Sequence, residues 1–228
     1  MAKLFGLVML AALLAGGVAL WRRTRRRYRA RFIDDYPYRR TLDKRLAAKR
    51  PELTPDQRAM VFDGLREYFH LCNDAGVRLV AMPSQVVDDA WHDFILFTRQ
   101  YQRFCTQALG KFLHHTPAEA MASPTMAQEG IKRAWRLACA REKIDPKAPS
   151  RLPLLFAIDG LLGVADGFRY QLDCLAAGRA GDSYCASHIG CGGGCSGDSG
   201  SASDAGSASD SGSGDSGSGC GGGCGGGD

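Results

Sequence analysis

Two hydrophobic patterns divide the chain. Residues 4–21, LFGLVMLAALLAGGVALW, run 18 positions without a charge. From Thr54 onward, apolar residues instead recur at three- and four-residue intervals, the spacing of one helix face. Thr54-Pro55-Asp56-Gln57 has the form of a capping box with proline at the first helical position. It opens a helix whose face is Phe62, Leu65, Phe69 and Cys72, and Asn73-Asp74-Ala75-Gly76 ends it. Pro83-Ser84 opens a second helix, expected to run unbroken to Leu109, where Gly110 stops it. Val87, Trp91, Phe94, Ile95, Tyr101, Cys105, Ala108 and Leu109 fall on one face, and Asp88, His92, Arg99 and Arg103 on the other.

Thr116-Pro117-Ala118-Glu119 is a second capping box, opening a short helix broken by Pro124. Met126–Lys143 follows as a helix burying Ile131, Trp135, Ala138 and Cys139. Leu152–Gly178, interrupted by Asp159 and Asp166, reads as the last core element. No stretch alternates with period two. The fold class is therefore all-α, about five helices in a compact domain at residues 51–180, packed as an orthogonal array or bundle.

Charge changes the reading of the first 50 residues. Of the net +5, residues 22–50 contribute +10 and Lys3 one more, which leaves −6 for residues 51–228. As a helix, residues 4–21 would span about 27 Å, close to the thickness of a hydrocarbon core. Arginines 22, 23, 25, 26, 27, 29 and 31 follow the apolar run rather than precede it, unlike a cleaved signal. Sequence alone thus predicts a transmembrane anchor at residues 1–21 and a basic juxtamembrane linker at 22–50. The implied topology is a single pass of the inner membrane, N-terminus outside and domain in the cytoplasm, with Arg22–Arg31 against anionic lipids. Arg31–Arg50 reads as a linker leading into a short helix or, more plainly, as a solvated tether. Basic charge beside an apolar segment, rather than on the folded domain, speaks against nucleic acid as the partner.

Residues 181–228 form a Gly/Ser/Cys-rich tail. From Ser196 to Gly219 no side chain can supply a core, and composition predicts disorder there. On either side lie Cys191-Gly-Gly-Gly-Cys195 and Cys220-Gly-Gly-Gly-Cys224, the first preceded by Cys185 and His188. In a reducing compartment, such spacing offers Cys185, His188, Cys191, Cys195, Cys220 and Cys224 as ligands for zinc or a similar soft ion. Free thiols on a flexible terminus are the alternative.

Within the domain, Asp88, His92, Cys105, His114 and His115 are the candidate catalytic or metal-binding set. On an unbroken helix, His92 and Leu109 would stand about 26 Å apart, and a six-residue return covers only about 20 Å. The expectation is that His114 or His115 reaches Cys105 or Tyr101 but not His92, whereas Asp88 and His92 pair one turn apart. The plain alternative makes Trp91, Tyr101 and Cys105 core, with the histidines a polar loop. P-loop, G-x-S-x-G, H-E-x-x-H and dinucleotide glycine patterns are all missing from the domain at residues 51–180.

The stretch DDAWHDFILFTRQYQRFCTQALGKFLHHTP carries Asp-x-x-Trp-His, then Tyr, Cys and a Gly-Phe-x-His-His return, and LPLLFAIDGL follows at Leu152–Leu161. In these blocks the chain resembles the bacterial members of the glycine-rich domain-containing protein-like family over about Thr54–Tyr170. The resemblance marks Asp88, Trp91, His92, Tyr101, Cys105, His114 and His115. It implies a shared motif rather than a reaction. The resulting expectation is a membrane-anchored helical module that works by interaction with a protein partner. An enzyme using the Cys/His/Asp set, or nucleic-acid binding through the arginine collar, are the alternatives.

Overall fold

A computed structural model describes residues 1–115, 124–172, 184–185 and 189. The chain divides into one compact unit, Met1–Gly193, and a second, Gly194–Asp228, that holds none of the described residues. Described helices are α1 (Ala2–Asp35), α2 (Tyr38–Lys49), α3 (Pro55–Ala75), α4 (Gln85–Leu96), α5 (Thr98–Ala108), α6 (Pro124–Glu142) and α7 (Leu154–Leu161). A two-residue strand, β1 (Tyr170–Gln171), pairs in parallel with β2 (Tyr184–Cys185), Tyr170 opposite Tyr184. The described part is mostly helical, as the three- and four-residue spacing requires.

Helix α3 is central and packs against α1, α2, α4, α6 and α7. Its start is the capping box read from the sequence. Thr54 N–H donates to Gln57 Oε1 at 2.8 Å, and Gln57 N–H returns to Thr54 Oγ1 at 3.2 Å. Gly64 lets α4 approach closely, since a Cβ there would lie 2.8 Å from Val87 Cγ2. Around Phe69 gather Tyr38, Phe94 and Phe104, with ring centroids 4.6 to 6.2 Å from it.

Three expectations need correction. No helix of the described residues is long and apolar enough to cross a membrane, which overturns the single-pass inner-membrane placement with its outside N-terminus and cytoplasmic domain. The apolar run is not a span with its own ends. It is the first half of a 34-residue helix that continues through the arginines to Asp35, and Pro37 stops it by forcing Tyr36 into extended backbone, φ −70° and ψ 130°.

Nor is Arg31–Arg50 a solvated tether. Ile33, Tyr38, Leu42 and Leu46 are at most 1% exposed, because Leu42 and Leu46 share one face of α2 and lie inward with Tyr38. Two ion pairs fasten that helix to α4, Arg45 to Asp93 at 3.1 Å and Lys49 to Asp89 at 2.6 Å. Arg50, at its C-cap, donates to Asp89 at 2.7 Å and bidentately to Asp166 at 2.7 and 2.8 Å.

Finally, the central helix is not continuous. It breaks at Phe97, φ −82° and ψ 57°, dividing α4 from α5. No glycine or proline marks the place. Packing does: Trp91 Nε1–H donates to the Tyr101 hydroxyl at 3.0 Å, although ten residues of straight helix would separate the two by about 15 Å along the axis.

The remaining elements shift in their bounds. Pro124 opens α6, and the expected helix from Thr116 lies outside the described residues, as do residues 173–178 of the last expected core element. Helix α7 ends at Leu161 and contributes Leu155, Phe156 and Ile158 to the core.

Candidate functional site

The site begins at the N-terminus of α4. Ser84 caps it, accepting from Val87 N–H at 3.2 Å, and donates its own hydroxyl to Asp159 Oδ1 at 2.7 Å. Asp159, 2% exposed on α7, also accepts from the backbone N–H of Gln85, Val86 and Phe168 at 2.7, 3.2 and 2.8 Å. A carboxylate at the positive end of a helix, with four donors, fixes both the start and the direction of α4. From the sequence, Asp159 was only an interruption of an apolar run.

One turn further, α4 presents Asp88, and a turn after that His92. The three aspartates of α4 have different partners. Asp89 and Asp93 face the cations of α2 and Arg50, whereas the ion-pair partners of Asp88 are histidines. His92 Nδ1 lies 3.2 Å from Asp88 Oδ2 and 2.9 Å from the Asp88 carbonyl. His115 Nε2 lies 3.3 Å from Asp88 Oδ1. The two imidazole centroids are 4.1 Å apart, and the His115 ring stands edgewise to Trp91 at 4.7 Å. Burial raises the Asp88 carboxyl above its ordinary value, and the two histidines pull it back.

His115 was expected to fall short of His92. That distance assumed a straight rod from His92 to Leu109; the break at Phe97 folds the rod, and the return closes the remaining gap. Gly110 turns the chain at φ +73°, with the Arg29 guanidinium of α1 packed where a side chain would project. Tyr101 then donates its hydroxyl to the Leu113 carbonyl at 2.6 Å. Along this return exposure alternates, with Phe112 and His114 exposed and Leu113 and His115 half-buried.

Asp88, His92 and His115 therefore come together, and the other candidates do not join them. His114 turns outward and meets the ring of Phe112 at 4.7 Å. Cys105 is 0% exposed, bonded to Tyr101, and burial raises its thiol above the usual range. Cys72 is likewise core, its thiol pushed up to about 12. Such thiols do not supply a nucleophile. The tail ligands His188, Cys191, Cys195, Cys220 and Cys224 lie outside the described residues, and Cys185 is described only as backbone in β2. His70, read as the flank of a helix, is 3% exposed, and its Nε2 meets Asp34 Oδ1 of α1 at 2.7 Å.

One ligand-capable oxygen or nitrogen from each of Asp88, His92 and His115 lies within 4.8 Å of the others. Fold and site together define a mostly helical domain with a two-histidine, one-carboxylate cluster at the junction of α4 and the α5 return. The chain belongs to the UCP032817-like family, whose model matches residues 28–189. Neither a curated protein nor a solved structure matches it.

Proposed function

We propose that the domain binds one divalent first-row transition ion between Asp88, His92 and His115, leaving coordination positions open to water or substrate. The observation that carries this is the convergence of the three donors from two separate segments, within 4.8 Å of one another. Two imidazoles and one carboxylate form the donor set of open, reactive sites for zinc or ferrous iron; structural zinc sites close with four protein ligands, most often thiolates. An ion held so would act as a Lewis acid or activate bound water. His92, the most exposed of the three at 44% for its side chain, lies on the open side.

The motif residues Asp88, Trp91, His92, Tyr101 and His115 are those that build or support this cluster, and the finer likeness to the glycine-rich domain-containing protein-like family is kept as part of the proposal. An interaction role for the module, with a protein partner, is compatible with a metal-bearing surface. Zinc in the tail, on Cys185, His188, Cys191 and Cys195 with Cys220 and Cys224 as further ligands, is a separate proposal from spacing alone. Removing residues 181–228 should abolish that zinc and leave the domain's ion in place.

Zinc titration of the full chain tests the main proposal. Asp88→Ala, His92→Ala and His115→Ala should each lose one equivalent relative to the wild type while keeping their helical circular dichroism. Equal stoichiometry in all four proteins would refute it.

A further inference from the structure

The chain has two adjacent histidines, and only one of them faces Asp88. We infer that Tyr101 is a positioning residue that selects His115 over His114 as the third ligand of the proposed site. The inference rests on the metal-site reading above, and it concerns how the third ligand comes to be the right one.

The return is held by Tyr101 at two points. Its hydroxyl donates to the Leu113 carbonyl at 2.6 Å, and its ring takes the edge of Phe112 at 5.4 Å. Tyr101 is in turn held by Trp91, whose indole N–H donates to that hydroxyl at 3.0 Å. The hydroxyl has one proton, given to Leu113, so it meets the indole as an acceptor and the direction of the relay is determined. Trp91 also sets its ring against His115 at 4.7 Å. One buried pair of side chains thus fixes both the backbone two residues before His115 and the surface on which its imidazole rests.

Selection follows from alternation. In the return 112 and 114 are exposed, and 113 and 115 are half-buried. A slip of one residue would exchange the two sets and present His114 to Asp88. Nothing in the chemistry of the two imidazoles distinguishes them, so the choice has to come from the register, and Tyr101 grips the register. Ligand-supporting hydrogen bonds of this kind commonly change metal affinity roughly ten- to a hundredfold when removed.

The test uses Co²⁺ and the full chain, with visible absorption as readout, since thiolate charge-transfer bands separate any tail-bound cobalt from cobalt on nitrogen and oxygen. In the wild type, His115→Ala should abolish the nitrogen/oxygen spectrum and His114→Ala should leave it unchanged. Tyr101→Phe keeps the ring and removes the hydroxyl half of the grip. It should weaken Co²⁺ binding roughly ten- to a hundredfold, and in that background His114→Ala should weaken it further. A purely structural role for Tyr101 would not create dependence on His114. Phe112→Ala removes the other half of the grip at an exposed position, and should shift the preference in the same direction even if Tyr101→Phe folds poorly. Tyr101→Phe and Phe112→Ala proteins that bind as tightly as wild type, with undiminished dependence on His115 alone, would overturn the inference. A wild type that gives no nitrogen/oxygen cobalt spectrum would instead sink the metal-site reading itself.

Discussion

Asp159 shows how much a single buried carboxylate can decide. It accepts one hydroxyl and three backbone N–H donors, and by doing so it joins α7 to the first turn of α4. Asp159→Ala would leave those donors buried and unpaired, at about 1 to 3 kcal/mol for a poorly compensated group. We expect a loss of about 3 kcal/mol overall, read as a lower urea midpoint with an unchanged slope. Gly110 is the second decisive residue, for a different reason. Its φ of +73° disfavours any side chain, and the Arg29 guanidinium lying over it would have to shift to admit one. Gly110→Ala should cost about 1 to 2 kcal/mol from the left-handed backbone alone. The glycine was legible as a helix stop, but Arg29 was not, because its contact crosses 81 positions of sequence.

Among the elements, α3 was readable nearly to the residue, since its capping box and terminal glycine are local signals and both are used. The break between α4 and α5 was not. Phe97 and Thr98 carry no breaking signal, and the kink comes from contacts such as Phe94 against Tyr101, 5.2 Å between centroids. With the break hidden, the cluster was hidden too: Asp88 and His92 were legible as a pair, and His115 was not legible as their partner. Helix α2 was expected as a short helix, but its burial was missed because its charges are conspicuous and its buried face is short.

Two carboxylates paired with arginines make a pH prediction. Asp166 is held below its ordinary value by its hydrogen bonds from Arg50, and Asp43 by those from Arg58. A depressed carboxylate stabilises the fold above its unfolded value, near 3.9, and the contribution is lost as pH falls through the lower folded value. Stability should therefore decline below about pH 4. Asp166→Asn should flatten that limb in acid-dependent melting; an unchanged acid limb would remove the Arg50–Asp166 pair from the account.

At the scale of the molecule, the core begins well before the residues whose periodicity announced it. Burying Ile33, Tyr38, Leu42 and Leu46 contributes roughly 1.5 to 3 kcal/mol each, comparable in sum to the whole stability of an ordinary domain. A chain beginning at residue 28 should melt as cooperatively as the full one. A chain beginning at residue 51 should lose cooperative melting, and if it kept it, α2 would be an accessory after all. Before residue 28 the character of α1 changes: Leu10, Leu13, Leu14, Val18 and Trp21 are exposed, and the arginines at 22, 23, 25, 26 and 27 are exposed as well. The part of the chain that the sequence marks most loudly is thus not the part that builds the site.

The central claim is that Asp88, His92 and His115 hold an ion. It is tested most directly by crystals of the zinc-loaded chain, examined for anomalous scattering at the zinc edge. The account predicts a peak bonded at about 2.0 to 2.2 Å to an Asp88 oxygen and to one ring nitrogen each of His92 and His115, with solvent completing the coordination. Zinc found on the cysteines alone, with the two imidazoles still turned to a bare Asp88, would contradict it.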